Sequence, residues 1–108
     1  MISLAVATAL AAAAVQGPPA APRRDFSSCL SRAAKEKSAE KMEKAAFTAA
    51  IKAACAAQEA AFRKSIVDYD VKTGSKRAVA EEGAELQVED YLVNITETHF
   101  ETASAEPE

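Results

Sequence analysis

The chain has little of what β-structure and most kinds of active site require. Its 108 residues include no tryptophan, three glycines and one histidine, and aromatic residues make up 6%. No stretch alternates apolar and polar residues as a half-buried strand does. Alanine, the best helix former, occupies 27 positions. The composition therefore predicts an all-α protein.

The scarcity of histidine limits the chemistry that the chain could perform. With His99 as the only histidine, a serine–histidine relay or a histidine-based metal centre has a single residue to use. No nucleophile-elbow, phosphate-loop or dinucleotide-binding pattern occurs. His99 could act as a pH sensor, but packing on a half-apolar helical face is the simpler interpretation. We expect no enzymatic activity, no catalytic residue, no cofactor and no metal.

Five carboxylates crowd one segment near the C-terminus. They could hold a cation weakly, but a solvent-exposed face, or pairing with Lys52, Arg63 and Lys64, is the interpretation that we favour. The five residues are Glu81, Glu82, Glu85, Glu89 and Asp90.

The first sixteen residues contain no charged side chain and end before Gly17-Pro18-Pro19. Their apolar run of about 14 residues is shorter than a membrane span, which needs about 20, and has the length of a signal-peptide core. The positively charged N-terminal region that usually precedes such a core is missing. Residues 12–14 (AAA) match the pattern of a cleavage site, although other cleavage positions remain open. We expect a signal peptide over residues 1–14, with cleavage between 14 and 21, and a periplasmic or secreted protein. An uncleaved tail or a buried apolar helix is the alternative.

Export would place Cys29 and Cys55 in an oxidising compartment, where a disulfide forms readily. Redox pairs favour closer spacing, so we predict a structural bond. In one continuous helix the two residues would lie about 39 Å apart, whereas a disulfide needs Cα atoms within about 7 Å. Either the helix breaks near residues 38–43, with Ser38 as a possible cap, or the bond joins two chains. We favour the break.

Three helices follow from the periodicity. The first begins at Asp25 or Ser27 and ends near Lys37. The second follows the break near residues 38–43 and stops near residues 71–75, and the third runs from about residue 76 to 102. Gly74 can take the left-handed conformation that ends a helix. The disulfide would pin the short first helix to the second, with the third antiparallel to the second. The helical domain covers residues 25–102, between a disordered proline-rich lead-in at 15–24 and a disordered acidic tail at 103–108.

Apolar stripes on the second and third helices predict the core. The expected core residues are Phe47, Ile51, Phe62, Ile66, Leu92 and Ile95. A second face of the third helix repeats every seven residues, and we expect it to meet the first helix or a second copy of the chain. This face consists of Val79, Leu86, Val93 and Phe100.

Charge is divided between the two parts of the chain. All 13 lysines and arginines lie between residues 23 and 77, while the last 31 residues contain nine acidic residues and no basic one. A basic face for nucleic acid or membrane is one interpretation. Nucleic-acid binding usually needs clustered cations and stacking aromatics, which are sparse here. We favour an acidic third helix that neutralises the basic ones, and expect no nucleic-acid partner.

Several segments resemble small, alanine-rich exported helical proteins of alphaproteobacteria. They are residues 26–30 (FSSCL), Cys55, residues 70–72 (DVK) with Gly74 and Arg77, and residues 90–92 (DYL). The resemblance implies no activity and transfers no functional residue. We therefore expect a non-catalytic binding protein of the cell envelope, a monomer or weak homodimer without a stable membrane span after cleavage, that contacts a protein partner. The alternative is a periplasmic chaperone activated by acid stress.

Overall fold

The computed structural model describes residues 17–105 and the side chains as far as Glu101. It contains four helices and, within those residues, no strand: α1 Ala20–Ser38, α2 Lys44–Ala54, α3 Ala56–Lys72 and α4 Arg77–Ala105. The all-α prediction is confirmed. The expected number of three helices is wrong, because the second predicted helix is divided in two. The predicted signal peptide at 1–14 and residues 106–108 of the predicted tail lie outside the described residues.

Helix α1 begins at Ala20, five residues before the predicted Asp25, so part of the predicted disordered lead-in is helical. Pro19 occupies the N-cap position and Pro22 lies in the first turn. The amide groups of a first turn have no acceptor within the helix, and the fixed φ of proline suits that position. The prolines that suggested an extended segment are therefore compatible with the start of a helix.

The break between α1 and α2 is confirmed, with a turn at residues 39–41. Lys41 has a φ of 51°, in the left-handed region that few non-glycine residues adopt. The Ser38 hydroxyl donates a hydrogen bond to the carbonyl of Lys35 at 2.8 Å, so it binds within α1. Its predicted role as a cap of the next helix is wrong, because Glu43 is the N-cap residue of α2.

Helices α2 and α3 are separated by a single residue, Cys55, with φ −114° and ψ 26°. Its amide donates to the carbonyls of both Ile51 and Lys52, each at 3.2 Å. The same residue forms the predicted disulfide with Cys29, with the two Cα atoms 5.9 Å apart. The interruption therefore lies at the point where the covalent bond joins this part of the chain to α1.

Helix α3 ends and α4 begins through a short turn. Gly74 has a φ of 115°, as the sequence predicted for a helix end. The amide of Ser75 donates to the carbonyl of Asp70 at 2.8 Å. The chain then reverses, and Arg63, near the middle of α3, pairs with Glu85 of α4 on the other side of this short turn, so α4 runs antiparallel to α3.

One hydrophobic core receives residues from all four helices. The Phe62 ring lies 5.5 Å from that of Phe26 and 5.4 Å from that of Tyr91. Of the six predicted core residues, five are buried and Ile95 is half-buried. Small side chains also lie between the helices, and their small volume allows the helix axes to approach closely. The buried alanines are Ala33, Ala34, Ala80 and Ala84.

None of the helices within residues 17–105 is both long and apolar enough to cross a membrane.

Candidate interaction surface on helix α4

The second apolar face of α4 is open to solvent. Val79 and Leu86 are each 58% exposed and Val93 is 55% exposed, and these three are all the exposed large hydrophobic residues of the described chain. The opposite face of α4 is buried through Ala80, Ala84, Val88 and Leu92. The expectation that this second face meets the first helix is therefore wrong, since α1 contacts the other side.

Phe100, the fourth member of the predicted face, has a different environment. It is half-buried and meets the Phe47 ring edge-on, with ring centroids 5.5 Å apart. The exposed line therefore ends at Val93. We call Val79, Leu86 and Val93 the outer stripe.

The outer stripe is nearly straight. Seven residues make almost two turns of a helix with 3.6 residues per turn, so the three side chains follow one line about 21 Å long. Gly83 and Asp90 lie between them along the same side. A methyl group added to Gly83 would contact nothing within 4 Å. The helix surface at Gly83 is therefore free of contacts from the rest of the described chain.

Carboxylates border the outer stripe on both sides. Glu82 and Glu89 lie on one side and Asp90 on the other, within about 60° of Leu86 around the helix axis, and all three are exposed. In the described part of the chain, no lysine or arginine forms an ion pair with any of them, whereas Glu97, further along, bonds Lys44 at 2.6 Å. The expected neutralisation of the acidic helix is therefore incomplete on this face.

Glu85, outside the outer stripe, is the α4 carboxylate of a charged network. Buried Glu59, 8% exposed, accepts hydrogen bonds from Lys52 at 2.8 and 2.9 Å and from the Arg63 Nε at 2.8 Å. The guanidinium of Arg63 also contacts Glu85 of α4. This network, which we call the Glu59 network, connects α2, α3 and α4. Of the three cations expected to pair with α4, only Arg63 does, since Lys64 binds Asp68 at 2.6 Å.

The network changes the acidity of its members. Burial by itself raises the pKa of Glu59, but hydrogen bonds and charges from Lys52 and Arg63 outweigh it, so the pKa lies below its ordinary value. Burial by itself lowers the pKa of Arg63, and Glu85 and Glu59 together raise it. The pKa of Glu85 is lowered, chiefly by its hydrogen bond with Arg63. Both carboxylates are therefore held in their charged form.

His99 is half-buried, and its ring stacks on Phe47 with centroids 4.2 Å apart and an interplanar angle of 12°. It also lines an open groove of about 950 Å³ between the end of α1 and α4, together with Lys35 and Lys41. Throughout residues 17–101, no three His, Cys, Asp or Glu side chains are grouped so that they could hold a metal ion.

Two features of this region were not predicted from the amino-acid sequence. The ion pair of Glu59 had a signal in the chain, because Arg63 follows it by four residues, about one helical turn, but that spacing does not predict burial. The exposure of the outer stripe had none, because periodicity identifies a face but not what covers it. Comparison of the chain with models of protein families, with curated proteins and with solved structures found no match.

Proposed function

We propose that the protein is a non-catalytic binding protein of the cell envelope that contacts its partner through the outer stripe of α4. One observation carries this proposal: every exposed large hydrophobic residue of the described chain lies on that single line. Exposed apolar side chains on monomeric proteins are usually scattered singly. Three in a row, bordered by carboxylates, are typical of a surface that a partner covers.

The energy available at the outer stripe suits a reversible contact. Burying the exposed halves of three aliphatic side chains contributes about 3 kcal/mol, at about 1.5–3 kcal/mol for each complete side chain. Apolar contact alone is therefore too weak for a permanent complex. Because buried residues anchor α4 in the core, little conformational entropy is lost on binding.

The proposed location in the periplasm or outside the cell is supported by the disulfide together with the apolar N-terminal run. Disulfides persist in oxidising compartments and are rare in reducing ones. Determining the N-terminal residue of the protein isolated from its own cells tests this directly. A start between residues 15 and 22 agrees with export, and an intact Met1 contradicts cleavage.

Site-specific photocrosslinking tests the binding proposal. A photoreactive residue at position 86 in the full chain, produced in its own cells, should give one defined adduct. The adduct should disappear when Val79 and Val93 are both replaced by serine. Ala57, exposed on α3, is the matched control position and should give no adduct. Equal labelling at positions 57 and 86, or none at 86, contradicts the proposal.

A second candidate function, an acid-activated chaperone, is favoured by a different observation. Two ion pairs attach α4 to the rest of the protein, Arg63 with Glu85 and Lys44 with Glu97. Protonating the carboxylates below about pH 4 removes the negative partners and leaves cations that repel one another. Helix α4 would then loosen and expose apolar surface around Phe62, as binding of unfolded clients requires.

Client protection at pH 3 and pH 7 distinguishes the two functions. The chaperone function requires that suppression of client aggregation and binding of a hydrophobic dye both rise at pH 3. If protection, dye binding and helicity are unchanged between the two pH values, that function is excluded and the binding protein remains.

A further inference from the structure

We infer that the occupant of the outer stripe is a cationic amphipathic helix, one that carries an apolar residue every seven positions and lysine or arginine beside them. This inference rests on the proposed binding function and names the chemistry of the partner.

The seven-residue spacing identifies a helix as the complementary shape. Two packed helices share a seam in which apolar residues recur with a heptad period. Val79, Leu86 and Val93 occupy one seam position in three successive heptads. The other seam position, four residues after each of the first two, is filled by Gly83 and Asp90. The outer stripe is thus half of a helix–helix seam without a partner in the described chain.

Asp90 selects the charge of that partner. A partner with an entirely apolar seam would cover its carboxylate without supplying a counter-charge, and an unpaired buried charge is strongly disfavoured. A lysine or arginine opposite Asp90 would pair with it. Glu82 and Glu89 lie where flanking positions of a coiled coil form interhelical ion pairs, and both are exposed. All three carboxylates therefore favour a cationic helix.

The same charges disfavour two other occupants. A second copy docked through this face would bring the carboxylates of both copies together, and like charges across an interface repel. An anionic lipid surface attracts amphipathic helices whose polar face is basic, whereas α4 has no basic residue after Arg77. A basic helix is thus the occupant whose charge matches.

Gly83 carries no side chain, so a large side chain of the partner could approach the helix backbone there. A methyl group there would meet nothing inside the protein, so the space is available to an incoming residue. Gly83→Ala should therefore raise the melting temperature of the free protein while it weakens the complex. If Gly83 had only a structural role, its replacement would not raise the melting temperature and weaken the complex at the same time.

The test uses three synthetic 21-residue helical peptides and the full chain. The first peptide has leucine every seven residues flanked by lysine, the second replaces lysine by glutamate, and the third replaces leucine by serine. Fluorescence anisotropy should show binding of the first peptide only. Leu86→Asp, which puts a charge into the contact, should weaken that binding by roughly tenfold or more.

A charge reversal separates specific contact from general attraction. Asp90→Lys should weaken binding of the lysine peptide and strengthen binding of the glutamate peptide. Glu81→Lys is the matched control, because it changes the net charge by the same amount at an exposed position. Glu81 lies about 140° from Leu86 around the helix axis. This variant should alter the affinity for either peptide less than about twofold. If both variants change binding alike, the peptide responds to net charge only and the inference is wrong.

The alternative occupants are outcomes of the same set of measurements. Self-association of the unmodified protein that Leu86→Asp abolishes would assign the outer stripe to a second copy. Vesicle binding that depends on Leu86 would assign it to lipid. Either result overturns the inference. If the lysine peptide does not bind while position 86 gives a defined crosslinked adduct, the inference that the partner is a cationic helix is wrong. The proposed binding function would then still stand.

Discussion

Phe62 lies at the centre of the aromatic packing, 2% exposed and in ring contact with Phe26 and Tyr91. Removing a buried aromatic ring leaves a cavity that the surrounding helices fill only in part. We expect Phe62→Ala to lower the free energy of unfolding by about 3–5 kcal/mol. Leu86→Ala is the control, and as a surface change it should stay within about 0.5 kcal/mol. Chemical denaturation measures both, and equal midpoints would contradict the burial of Phe62.

Gly83 gives a prediction of the opposite sign. It lies inside α4, where glycine disfavours the helix by roughly 0.5–1 kcal/mol relative to alanine. Because an added methyl group meets nothing within 4 Å, no steric penalty offsets that gain. We expect Gly83→Ala to stabilise the free protein by about that amount in thermal unfolding. A lower melting temperature would mean that the space beside Gly83 is filled.

The burial of the core residues follows from local periodicity, whereas the burial of Glu59 does not. Phe47, Ile51 and Phe62 were predicted to be core, and all three are buried. Each belongs to a stripe with three- and four-residue spacing, and that spacing is a local property of a helix. Burial of Glu59 was not predicted. It depends on where the Lys52 and Arg63 side chains meet, beside the interruption at Cys55, and periodicity carries no information on that position.

At the scale of elements, the disulfide connects α1 to the junction of α2 and α3. It closes a loop between residues 26 positions apart. Replacing both cysteines by alanine should lower the free energy of unfolding by about 3 kcal/mol, because the unfolded chain regains the entropy of that loop. Reduced wild-type protein is the matched comparison and should lose a similar amount.

Mass spectrometry under non-reducing conditions measures the bond itself. The monomer should be lighter than its reduced form by two hydrogen atoms. Two free thiols, or a disulfide-linked dimer, would contradict the intramolecular bond.

Of the two breaks in the helical path before α4, one could be predicted from the amino-acid sequence and the other could not. The break after Ser38 followed from the distance that a disulfide can span, although no glycine or proline marks it. The interruption at Cys55 also has neither residue beside it. Helix propensity alone predicts a continuous helix through Ala53, Ala54 and Ala56, because alanine is the best helix former. The division of α2 from α3 therefore comes from contacts in the folded chain.

At the scale of the whole molecule, the Glu59 network makes stability depend on pH. The pKa values of Glu59 and Glu85 are lower in the folded protein than their ordinary value of 4.5. The unfolded chain therefore binds protons more readily, and the stabilisation present above pH 4.5 is lost as pH falls through the lowered values. We expect the free energy of unfolding to decrease between pH 6 and pH 3, as measured by denaturation at a series of pH values.

Replacing Glu59 identifies its share of that pH dependence. Glu59→Gln should be less stable than wild type at pH 7, because Lys52 and Arg63 lose their charged partner. It should also lose less stability between pH 6 and pH 3. Glu36→Gln, at an exposed position of α1, is the control and should follow the wild-type profile. A Glu59 variant with an unchanged profile would contradict the role of the network.

Four properties follow from the amino-acid sequence alone: the helical class, the core stripe of α2 and α3, the cysteine pair and the helix end at Gly74. These properties depend on local propensity and on a 3.6-residue period, both of which are present in the chain before it folds. Contacts between helices set four others: the earlier start of α1, the interruption at Cys55, the burial of Glu59 and the exposure of the outer stripe. The physical reason is that a helix has more than one apolar face. Which face becomes core depends on the angles at which the other helices approach, and no single element specifies those angles.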